Sequence, residues 1–86
     1  MLITRELVVE KLAAFLHQEL TLAQLVDWAE CAIMDGEFDE CHSDVLRTVV
    51  ARLGVADVRA FGLTWEDCQE LLEKLGYLAR VDIVAP

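Results

Sequence analysis

The chain has 86 residues, 56% of them hydrophobic, and sixteen acids against seven bases give a net charge of −9. That length suits one domain, residues 1–86, with one core, and the apolar content argues against disorder. The charge opposes nucleic acid and anionic membrane, which demand basic patches, and favours a basic protein partner or a cation.

No apolar run reaches the ~20 residues that span a bilayer. The start MLITRELVVE does not read as a secretory signal, because Arg5, Glu6 and Glu10 interrupt its apolar residues. A cytoplasmic location is therefore expected. Cys31, Cys41 and Cys68 are odd in number and form no CxxC, so they read as reduced thiols serving as small apolar residues.

Start and stop signals divide the chain into four helices and a tail. The first opens after Thr4 and runs to about Leu16 on a stripe of Val8, Leu12, Phe15 and Leu16, with Ile3 and Val8 placed as a hydrophobic staple. The second opens with TLAQ, a capping box of Thr21 and Gln24. Its apolar face is Leu22, Leu25, Val26, Ala29, Ala32 and Ile33, its polar face Gln24, Asp27, Glu30 and Cys31, and Gly36 ends it in the left-handed conformation.

A third helix capped by Asp39 runs to Leu53, with Gly54 as its stop and His42, Val45, Leu46, Val49, Val50 and Leu53 on its inner side. A short turn of helix over 57–61 follows, ended by Gly62. The fourth helix is capped by Thr64, with Glu66 and Asp67 at the positive end of its dipole and a stripe of Trp65, Cys68, Leu71, Leu72 and Leu75 before Gly76. The tail from Tyr77 alternates in strand fashion, and its backbone needs a partner, either residues 1–3 or a second chain in a homodimer. The fold expected is all-α: a small bundle of four main helices in two antiparallel hairpins, with a short C-terminal strand.

The stretch MDGEFDECH is the densest in chemistry-bearing groups. As a calcium loop it places Asp35, Glu37 and Asp39 at positions one, three and five, but Glu40 stands where glycine is needed and Leu46 where the bidentate glutamate is needed. As a zinc site it would draw on Cys41, His42, Cys68, Cys31 and His17, which lie on different helices and faces. A turn accounts for more residues: Gly36 bends the chain, Phe38 tucks between two helices, Asp39 caps, Glu40 sits in a first turn, and Asp35 and Glu37 are solvated.

Residues 28–55, WAECAIMDGEFDECHSDVLRTVVARLGV, resemble the helical hairpin of the tellurite-resistance-type acidic helical domain, with its Ala-rich helix, Asp-Gly turn, acidic cap and second helix ending in LG. The resemblance implies an all-helical acidic domain with a cation-binding patch at Asp35, Glu37 and Asp39. A looser similarity, carried by size, acidity and FLHQELTLAQLVDWA, is to small bacterial immunity proteins that neutralise toxins.

No phosphate loop, nucleophile elbow or paired nucleophile and base is present in the sequence, so the chain reads as no enzyme and as needing no cofactor. Residues 27–44 carry seven acids and no base. The expected function is a non-enzymatic acidic interaction module, inhibitor or immunity-like, that meets a basic partner through Asp27, Trp28, Glu30, Asp35, Glu37, Asp39, Glu40 and Asp44. The alternatives are a metal-binding domain using Asp35, Glu37 and Asp39, and a structural homodimer subunit.

Overall fold

A computed structural model describes residues 1–58 and 62–79. Among these residues the protein is mostly helical, with four α-helices and one small parallel sheet. The order is β1 (Leu2–Ile3), α1 (Arg5–Leu16), α2 (Leu22–Asp35), β2 (Glu37–Phe38), a 3-10 turn (Glu40–His42), α3 (Ser43–Gly54) and α4 (Trp65–Lys74).

Threonine hydroxyls start three of the helices, joined at α2 by a carboxamide and at α4 by a carboxylate, because each satisfies amide donors that have no partner within the helix. The Leu7 amide donates to Thr4 Oγ1 at 3.1 Å. At α2 the Gln24 amide donates to Thr21 Oγ1 at 3.1 Å and the Thr21 amide to Gln24 Oε1 at 2.9 Å. At α4 the Asp67 amide donates to Thr64 Oγ1 at 3.1 Å and the Thr64 amide to Asp67 Oδ2 at 2.9 Å, closing a second capping box. Gly76 leaves α4 at φ +89°, a left-handed stop.

The core gathers one stripe from each helix: Val8 and Leu12; Leu25, Ala29 and Ala32; Leu46, Val49, Val50 and Leu53; Cys68, Leu71, Leu72 and Leu75. Ile3 joins it fully buried, so β1 contributes an anchor as well as a strand. Ile33, expected on the inner face of α2, is 48% exposed at its edge.

The structure shows a strand pairing that the sequence did not announce. The N-terminal strand pairs with Glu37–Phe38, in parallel, with Leu2 opposite Glu37 and Ile3 opposite Phe38. The Glu37 amide donates to the Met1 carbonyl at 2.8 Å and the Asp39 amide to the Ile3 carbonyl at 3.0 Å. The strand expected from Tyr77 is not formed over 77–79, and the rest of it lies outside the described residues, as does most of the turn expected over 57–61.

Gly36 is extended, at φ −83° and ψ 152°, and not left-handed. A side chain is excluded there by space, because an added Cβ would stand 2.5 Å from the Ala32 carbonyl oxygen and 2.9 Å from Ile3 Cγ1. Asp39 caps the 3-10 turn, its Oδ1 accepting from the Cys41 amide at 3.1 Å, while α3 begins at Ser43 without a side-chain cap.

The hairpin expectation for α2 and α3 also changes. These helices share the most extensive packing in the molecule. Yet Ile33, in the last turn of α2, brings its δ-methyl to 3.5 Å from the Cβ position of Gly54, the last residue of α3. In a tight antiparallel hairpin Ile33 would face the first turn of α3. Here the last turn of α2 reaches the end of α3 instead.

Two arginines fasten α4. The Arg5 guanidinium donates to the Leu75 carbonyl at 3.1 Å and lies 5.8 Å from the Tyr77 ring centroid, placing a cation at the negative end of the helix. Arg52 donates to the Gly62 carbonyl at 3.0 Å and meets Asp67 Oδ2 at 3.4 Å, at the positive end.

Gly36→Ala should destabilise by about 1–3 kcal/mol, the usual cost of overpacking against backbone. Gly54→Ala, with ordinary contact distance around it, should be neutral or stabilising by up to about 1 kcal/mol. Urea unfolding of both variants checks the contrast.

The Asp67 carboxyl is held below its ordinary 3.8, first by the Thr64 backbone amide and then by the Thr64 hydroxyl and Arg52, against some desolvation. A lowered folded value means stability present above the unfolded value and lost as pH falls below it. Thermal melts should therefore show Asp67→Asn less stable than wild type at about pH 6, with the two converging as pH falls through the lowered pKa of Asp67.

Cys68 is buried, and burial pushes its thiol up to about 11, while Cys31 and Cys41 are exposed. A thiol reagent added to the native protein should titrate two groups promptly and the third only on unfolding.

Candidate functional site: an acidic surface around the β2 turn

The acidic surface is built on α2, β2, the 3-10 turn and the start of α3. Asp27 and Glu30 stand on the outward face of α2, one turn apart, and Asp35 closes the helix, all three exposed. Glu37 is exposed on β2 opposite Leu2, because successive strand residues point to opposite faces and Phe38 takes the inner one. Glu40 is exposed in the 3-10 turn and Asp44 in the first turn of α3, where its carbonyl accepts from the Thr48 hydroxyl at 2.9 Å.

Asp39 is the exception, half-buried and occupied by the Cys41 amide. The structure thus brings Asp35, Glu37 and Asp39 to one turn without converging them. Among the described residues no group of three or more His, Cys, Asp or Glu side chains is placed to hold a metal ion. His42 is half-buried at the start of α3 and lines a shallow hollow of about 220 Å³ with Glu40, Cys41, Ser43, Asp44 and Val45.

Trp28 stands apart from the exposed acids of this face. Its ring is half-buried against the core, and Lys11 Nζ lies 5.8 Å from its centroid. The outermost apolar residue of this face is Met34, 80% exposed, four residues after Glu30 and seven after Asp27, so all three share the outer stripe of α2. Sequence reasoning passed over Met34 because it treated MDG as the start of a turn. Helical spacing counted from Asp27 through to residue 34 would have placed it among the acids.

The bases explain why the surface stays negative. Arg5 and Arg52 fasten α4, Lys11 covers Trp28, and Arg47 lies 4.9 Å from the Phe38 ring centroid, directly behind β2. Four cations thereby contact rings or helix ends, Arg47 while itself exposed, and the exposed Lys74 lines a hollow with Asp44, Val45 and Thr48, whereas every carboxylate among the described residues except Asp39 and Asp67 is exposed. Only Arg52–Asp67 forms an ion pair among these residues.

No helix of the described residues is long and apolar enough to cross a membrane. No protein-family model, curated protein or solved structure matches the chain.

Arg47→Met should keep the apolar stem over Phe38 while removing the charge, leaving the melting temperature within a few degrees and raising the negative charge of the turn. The melt and the electrophoretic mobility of the folded variant check both halves of this expectation.

Proposed function

We propose that this chain is a non-enzymatic acidic interaction module that docks onto a basic protein partner, as an inhibitor or immunity-like protein would. The observation that carries the reading is the division of charge: six of the seven acids of residues 27–44 are exposed, while Arg5, Lys11, Arg47 and Arg52 are engaged with rings and helix ends and Lys74 stands beside Asp44 alone. A surface arranged in this way steers cationic proteins toward it over about one Debye length, roughly 10 Å at 0.1 M salt.

Asp27, Glu30, Asp35, Glu37, Glu40 and Asp44 supply the field. Met34 supplies an apolar contact at its centre, and methionine adapts to different partner shapes. Trp28 and Asp39 act from behind, Trp28 by filling the base of α2 and Asp39 by holding the 3-10 turn that presents Glu40. Because the charges are at the rim of the contact, they contribute mainly to encounter rate and selectivity.

For a basic partner captured from native extract, association should slow at least about tenfold between 0.05 and 0.5 M salt, with dissociation changing less. Asp27→Asn combined with Glu30→Gln and Glu37→Gln should slow it similarly at low salt, while Glu19→Gln should leave it unchanged. Association that ignores salt would overturn the reading.

A further inference from the structure

We draw no further inference here: the strongest candidate, the apolar trough between α1 and α4 lined by Val9, Ala13, Leu16, Trp65 and Leu72, carries nothing, because nothing in the structure shows what covers it.

Discussion

The arrangement of this protein depends on a single close approach, that of Ile3 to Gly36. Ile3 is buried completely although it lies near the start of the chain, and the backbone of residue 36 passes so near it that no side chain fits between. This contact permits the two amide-to-carbonyl bonds of the parallel ladder. The ladder sets where residues 37–42 run, and therefore where α3 begins. An acidic segment that would otherwise be a loose connection is held against the core by apolar burial at one end and backbone pairing along its length.

The same contact reconciles two demands on the turn. Carboxylates close together repel one another and prefer water, while Phe38 and Ile3 prefer to be buried. Alternation along β2 separates them, with Glu37 outward and Phe38 inward. Arg47, itself exposed, lies over the Phe38 ring and pairs with no carboxylate among the described residues. The outward potential is thus a product of the packing, and no cation had to be removed from the neighbourhood to obtain it.

The helices were legible because their signals are local. Thr4, Thr21 and Thr64 each stand one residue before an apolar stripe of period 3.6, and the stripes themselves are the core. The sheet was not legible, since two residues show no alternation and a parallel pair has no turn to announce it. Its register comes from a contact 35 residues distant in sequence, Leu2 with Glu37. Gly36 was recognised as special for the wrong reason, because sequence cannot distinguish a glycine needed for its torsion from one needed for its small size. Met34 was passed over because its exposure depends on α2 running on to Asp35, and the cover of Lys11 over Trp28 comes from another helix.

The clasp from Arg5 to the Leu75 carbonyl spans 70 residues of chain. During synthesis α1 leaves the ribosome long before its acceptor is made, and the apolar stripe of α1 then has only α2 and α3 to lean on. Loop closure over such a distance comes late and slows folding relative to a bundle of neighbouring helices. The nascent protein therefore passes through a stage in which Val9, Ala13 and Leu16 are open to solvent, and arrival of residue 75 ends it.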